Sequence, residues 1–529
     1  MTQLRCIQHY LARAAVATAA LMLSVAALPA AESPGDQVTR LRDAGRLDKA
    51  ADVACEWVSR EPGNVTALRA CAELGAKVGR YSRAENALRS LLFYCPNDPE
   101  TLTALGEVLL ASGRFQEARG QFEAAIHVAE DPARAYVGLA RATVYDSESP
   151  GDVLSAAEVA LAVAPASAAA QTTMGTALRE LGRLDEAIEA LKRARQTDPG
   201  YAPATFGLGL AWLMQGEDTL MRRAWERFVE MAPFAPATWM LRHGLVLTDV
   251  EEVLDRAFDA QYSPDGERIA YRSRGEGGWG IYTIPAQGPP RETRLWATDA
   301  NLQALAWSPD SSQIALSVLE RETGDDGKQQ WTRRLYVVPA DGGEATMVLE
   351  DRYLGEIAWN PATGRIGVRN YVRRQGWSIL EIDPESGESE RVEGTDGGDV
   401  YYAPTWSRDG AMMLAARRSD RLPDGSFQYD LVVGPSDDFG SGHVIHRCES
   451  LPRGMTFTPD GAVILYDLPG AVSGRYNTWA VPSDGSREPV LIDHLAGSYV
   501  NPSLTPDGAY LLTCRATMLV RVTLAGLPE

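Results

Sequence analysis

The stretch YSPDGERIAYRS, Tyr262 to Ser273, decides the fold because it comes back. It returns as WSPDSSQIALSV from Trp307 and as FTPDGAVILYDL from Phe457. Aligned on its first residue, the motif has an anchor at Tyr262, Trp307, Trp359, Trp406, Phe457 and Leu504, spaced by 45, 52, 47, 51 and 47 residues. An apolar residue follows seven places later each time: Ile269, Ile314, Ile366, Met413, Ile464 and Leu511. Between them lie the turns SPDG, SPDS, NPATG, SRDG, TPDG and TPDG. Further along each unit come a variable polar loop and then a third strand ending in a tight turn, as in RLYVVPADGG or NTWAVPSDG. A fourth strand follows, as in EATMVLEDR. Four short strands repeated around a circle make a β-propeller. Six units predict six blades over 244–529.

The last unit runs out of chain after YLLTCRA and MLVRVTLAG and lacks an outer strand. GLVLTDVEEVL (Gly244 to Leu254), just ahead of the first blade, is expected to supply it and latch the ring. Asp265 has counterparts at Asp310, Asp409, Asp460 and Asp507, with Ala362 in the third unit. In a Pro-Asp-Gly turn, Pro presets φ, Asp bonds nearby amides and Gly accepts positive φ. Carboxylates on separate blades do not converge on one ion, so these are expected to be turn residues rather than acids or ligands.

The N-terminal half repeats with another period. LRDAGRLDKAADVACEWVSREPGN, AKVGRYSRAENALRSLLFYCPND, LASGRFQEARGQFEAAI, ELGRLDEAIEALKRARQTDPG and LMQGEDTLMRRAWERFVEMAPF share a Gly at 45, 79, 113, 182 and 216. The steps are 34, 34, 69 and 34, the 69 covering two units, one of them irregular. Gly turns the first helix, a small Ala lets two helices approach, and Pro stops the second. The pattern resembles the tetratricopeptide repeat and implies a helical superhelix with a groove over 35–240. The blade motif resembles the PD40 (WD40-like) repeat of TolB-type propellers, a periplasmic family that binds partners through the propeller. Together these resemblances imply a multidomain chain, an all-α superhelix followed by an all-β six-bladed propeller. Propeller peptidases share similar repeats, but no G-x-S-x-G nucleophile elbow occurs here.

Residues 1–31 read as an export signal, with Arg5 and Arg13 flanking the apolar run Ala14 to Leu28, which is short for a bilayer span. Cleavage is expected after Ala27 or a few residues later, leaving no stable membrane span. The net charge of −20 argues against nucleic acid. Cys55, Cys71 and Cys95 lie in neighbouring helices; a bridge is open, and buried thiols are the expected state. No C-x-x-C, EF-hand or other cofactor motif occurs. The acidic loops TGDDGK, EGTDGGD and PSDDF are expected to be solvated rather than calcium sites. His443 and His446 fall in a predicted outer strand, where a spacing of three puts them on opposite faces.

Repeat register predicts the groove. It places Arg69, Glu73 and Lys77 in the second repeat, Thr103 and Glu107 in the third, and Thr172, Thr176 and Arg179 in the fifth. Phe206, Leu213 and Met214 in the sixth are expected to be covered by the propeller. At the channel mouth, three residues before each anchor, the polar positions are Asp259, Glu356 and Asn501. They are candidates to receive a partner's basic or amide group, or to bond loop backbone. The expected function is a non-catalytic scaffold or assembly factor in the envelope of a Gram-negative bacterium, binding protein or peptide partners in the periplasm. A metal-dependent propeller hydrolase or lactonase, or a ligand-sensing propeller, is the alternative. Nothing in the sequence sets an oligomeric state.

Overall fold

A computed structural model describes residues 32–146, 150–275, 278–323, 329–372, 376–395, 399–421, 425–469, 476–492, 499–515 and 518–526. Among these are thirteen α-helices followed by twenty-four β-strands. Residues up to Val78 form one compact unit and those from Gly79 onward a second. The expected signal lies outside the described residues.

The first unit holds helices Pro34–Asp43, Leu47–Arg60 and Val65–Lys77. The Ser33 hydroxyl accepts from the Asp36 N–H at 3.1 Å, satisfying one of the free donors at the helix start. Ala50 and Ala54 are fully buried, and Gly45 turns the chain with φ at 70°. Cys55 and Cys71 form a disulfide with their Cα atoms 4.8 Å apart. The expected buried thiols are therefore corrected here: two of the helices bring the pair to bonding distance. Cys95 is a free and exposed thiol, whereas Cys448 and Cys514 are buried.

The second unit continues the helix pairs from Tyr81–Tyr94 to Asp218–Met231 and ends the arm with Pro236–Arg242. First helices Pro99–Ala111, Ala133–Asp146, Ala168–Glu180 and Ala202–Met214 pack on one another in succession, which makes them the inner surface of the arm. Glycine permits this closeness. A Cβ on Gly106 or Gly138 would come within 2.7 or 2.3 Å of the fully buried Phe122 ring.

The propeller has six four-stranded antiparallel sheets. Every anchor pairs with the apolar residue seven places on: Tyr262 with Ile269, Trp307 with Ile314, Trp359 with Ile366, Trp406 with Met413, Phe457 with Ile464 and Leu504 with Leu511. Strand alternation sends one set of side chains to each neighbouring blade. Ile314, Leu316 and Val318 of blade two pack with Ala270 and Ile281 of blade one. Ala315, Leu335 and Val337, from the other face, pack with Ile357 and Trp359 of blade three. The latch is present: Val246–Leu254 is the outer strand of the last blade, paired along Met518–Ala525.

Arm and propeller share a core. Trp225, Phe228, Met240 and Leu241 cluster with Val463, Leu465 and Val490 of blade five and Leu511 and Val522 of blade six. Phe206 and Leu213 pack against this cluster as expected, but Met214 is 46% exposed and escapes it. Helix turns also lie against blade five. A Cβ on Gly113 would stand 2.8 Å from Leu491, and the Ser82 N–H and hydroxyl donate to Glu488 at 3.2 and 3.3 Å. The outer strand of this blade is only Val490–Leu491, a short edge under a helical cover.

Candidate functional site

The two ends of the propeller are built differently. At one end sit the turns between first and second strands. In each Asp-bearing turn, the hydroxyl residue after the anchor donates to the Asp and the N–H two places beyond the Asp donates to it as well. The hydroxyl distances are 2.5 Å for Ser263–Asp265, 2.6 Å for Ser308–Asp310, 2.6 Å for Ser407–Asp409, 2.5 Å for Thr458–Asp460 and 2.6 Å for Thr505–Asp507. The N–H bonds are all 3.0 Å. In blade three Asn360 replaces the hydroxyl and accepts from the Ala362 N–H at 2.9 Å. The donated hydroxyls of Ser308, Ser407 and Thr505 hold the carboxyls of Asp310, Asp409 and Asp507 below the usual carboxylate range. An acid kept ionised in a staple has no proton to give at neutral pH. The hydroxyl partner went unassigned in the sequence, although Ser, Asn or Thr follows every anchor. Arg408 of blade four donates to the Pro506 carbonyl of blade six at 2.7 Å, and a bond between non-neighbouring blades passes over the channel end.

The other end, where first strands enter, carries the charged candidates. A β-bulge interrupts the first strand of five blades near the third residue before the anchor, with φ at 54° for Asp259, 48° for Ala403 and 53° for Gly454. Asp259 lies 3.7 Å from Arg272 Nε, and Arg272 lies 5.2 Å from the Trp279 ring. Glu356 accepts from Arg369 Nε at 3.0 Å, and Arg369 stacks between Trp377 and Tyr402 at 4.4 and 4.6 Å. Both carboxylates thus orient arginines of the second strand. The Asn501 side chain lies outside those described. In blade four, burial raises the Asp430 carboxyl, but Arg447 and Arg417, at 2.8 and 3.1 Å, outweigh it and leave it below its ordinary range.

Around these arginines the entry end of blades two to four presents aromatic rings. Tyr353, Tyr371 and Trp377 contact one another with centroids 5.2, 5.5 and 6.3 Å apart. Trp331 is 52%, Tyr353 42% and Tyr371 37% exposed. Beside them an open pocket of about 530 Å³ is lined by Leu319, Gln330, Trp331, Arg333 and Arg352. Aromatic residues and arginine are the types that dominate binding energy at protein interfaces.

On the helices, Arg69, Glu73 and Lys77 lie along Val65–Lys77, with Lys77 and Glu73 paired at 2.7 Å. Glu107 pairs with Arg134 at 3.0 Å, and Arg179 with Glu180 at 2.5 Å. Thr103 and Thr172 are buried. The two histidines depart from expectation. A bulge in the outer strand sets His443 opposite Val433 and His446 opposite Leu431, which returns both to one face. Among the described residues, no group of three or more His, Cys, Asp and Glu could hold a metal ion. Most of TGDDGK and the centre of EGTDGGD lie outside the described residues; in PSDDF, Phe439 is buried in a short 3₁₀ turn while Asp437 and Asp438 are exposed.

A tetratricopeptide repeat family model matches residues 103–170 and 172–236. These stretches are tetratricopeptide repeats. The helical arm therefore carries this repeat, followed by a six-bladed propeller. Tricorn protease homolog 1 of Streptomyces coelicolor is 26% identical over 264 residues, covering 47% of this chain. The chain spans 22% of that relative's length. A putative TolB from Agrobacterium tumefaciens is similar over 52% of this chain and 96% of that one, at 17% identity and a TM-score of 0.37. An oligogalacturonate lyase in complex with manganese covers 53% and 91% at 13% identity and a TM-score of 0.36. Likenesses of this size say nothing of what the chain binds. Among the described residues, no helix is long and apolar enough to cross a membrane.

Proposed function

We propose that this protein is a non-catalytic interaction scaffold of the bacterial envelope, acting in the periplasm on protein or peptide partners. The carrying observation is the asymmetry of the propeller. One end is built of hydrogen-bonded turns with the Arg408–Pro506 bond across it, while the other offers Tyr353, Tyr371 and Trp331 to solvent among oriented arginines. In this reading the helices offer further binding surfaces, with Arg69, Glu73 and Lys77 on the first unit and Glu107 and Arg179 on the second. The disulfide favours an oxidising compartment, in keeping with the expected export signal.

The test uses the full chain, because the arm and propeller share a core that cutting would expose. Wild-type protein as bait in periplasmic extract is expected to retain specific proteins after crosslinking. The variant Tyr353→Ser, Tyr371→Ser is expected to lose them while keeping its melting temperature. Recovery of nothing above control, or equal recovery by both proteins, overturns the propeller-face reading.

A further inference from the structure

Blade two carries a hairpin that outgrows its sheet. Strands Gln313–Thr323 and Gln329–Pro339 pair along their whole length, from Gln313 opposite Pro339 to Thr323 opposite Gln329. The flanking strands stop sooner. Pairing to the first strand ends with Asn301 opposite Leu319, and pairing to the outer strand ends with Asp351 opposite Arg333. Beyond Arg333, no strand among the described residues pairs with the ribbon edge at Gln330 and Trp331.

The ribbon's two faces differ in charge balance. On one, Arg334 bonds Glu320 and also Glu350, the latter at 2.8 Å, so its one cation meets two carboxylates. The other carries Leu319 opposite Arg333 and Arg321 opposite Trp331. It faces the loop into blade three, which adds Arg352 to the pocket. Here the guanidinium groups meet neutral partners. Arg321 lies 5.9 Å from the Trp331 ring, Arg333 donates to the Leu354 carbonyl at 2.5 Å, and Arg352 donates to the Gln330 side chain. Among the described residues none of the three is within ion-pair distance of a carboxylate. Asp351, opposite Arg333 in the ladder, makes its hydrogen bonds to the Asn370 side chain at 3.3 Å and the Tyr353 N–H at 2.8 Å instead, which leaves one carboxylate beside three arginines. Three guanidinium groups without an ion pair among the described residues, around an exposed indole, stand out on a chain of net charge −20.

We propose that the groove between this ribbon and blade three binds an extended acidic segment of a partner protein. The segment adds a strand at Gln330–Trp331, lays an apolar side chain on Trp331 and sets carboxylates on Arg321, Arg333 and Arg352. The bare strand edge favours a peptide over an acidic sugar, since its backbone donors and acceptors are matched by another extended backbone. The inference rests on the scaffold reading and names the chemistry of its partner.

The test is fluorescence anisotropy with the full chain and a labelled peptide of about ten residues alternating Glu and Val. The lysine–valine counterpart is expected to bind about tenfold or more weakly. So is the glutamate peptide to the variant Arg321→Glu, Arg352→Glu, while Arg352→Lys retains much of the affinity. A peptide of the same charge with alternate amides N-methylated is expected to lose about tenfold, because strand addition needs those donors. No binding of the glutamate peptide, equal binding of the lysine peptide, or an unchanged affinity in the double-glutamate variant overturns the site. Equal binding of the N-methylated peptide, with displacement by an oligogalacturonate, overturns the strand and points to an acidic sugar. A failed peptide with partner capture intact removes this inference alone; failed capture removes the scaffold reading.

Discussion

Gly367 of blade three leaves no room for a side chain: a Cβ there would stand 2.0 Å from the Trp406 indole of the next blade. Gly367→Ala is expected to cost about 3 kcal/mol through overpacking, measured by denaturant titration. His446 is a second sensitive residue. Burial pushes its imidazole down to about 4, against an ordinary 6.5. Between those values the unfolded chain takes up a proton that the folded chain refuses. Stability should therefore fall as pH drops from 6.5 towards 4, by roughly 3 kcal/mol from this residue. In His446→Phe that part of the slope should disappear, seen as a flatter melting temperature against pH. Asp265 was legible as a turn residue because Pro and Gly flank it. Its bond to Ser263 was also within reach, since the hydroxyl is only two residues away in sequence. The pairing of Glu356 with Arg369 was not, because thirteen residues and a strand reversal separate them.

Among the elements, the first-unit helices depend on the Cys55–Cys71 bridge, which closes a loop with a sequence separation of 16. Cys55→Ser with Cys71→Ser is expected to destabilise this unit by about 3 kcal/mol, read as earlier proteolysis before Val78. The latch makes a separate prediction. Amides of Val246–Leu254 and Met518–Ala525 should share one level of hydrogen-exchange protection, since they form one ladder. Repeat spacing made both helix pairs and blades legible, because each period is set by local turns and apolar residues. The bulges were not legible. They arise where a first strand bends into the ring, and Asp259, Ala403 and Gly454 share no side-chain type that would announce it. The same holds for the bulge that brings His443 and His446 to one face.

At the scale of the molecule, the shared core joins the repeats from Gly79 onward to blades five and six. Trp225 is fully buried in it. Trp225→Ala is expected to cost about 4 kcal/mol and to lower the helix and sheet transitions together, followed by circular dichroism and tryptophan fluorescence. Separate transitions, with only the helical one shifted, would show that arm and propeller unfold independently. Sequence periodicity named both architectures and foresaw that Phe206 and Leu213 would be covered. It did not locate the cover on blade five, because contacts such as Ser82 with Glu488 join residues 406 positions apart.

Strand Val246–Leu254 is made before any blade, yet its partner is Met518–Ala525. During synthesis the ring therefore waits for Met518–Ala525, and until then this strand has an unsatisfied edge. The entropy of closing so long a loop grows only slowly with length, so the delay costs time more than stability. A nascent chain paused short of residue 518 would hold five blades and a loose strand, a state open to chaperones and to mispairing with another copy.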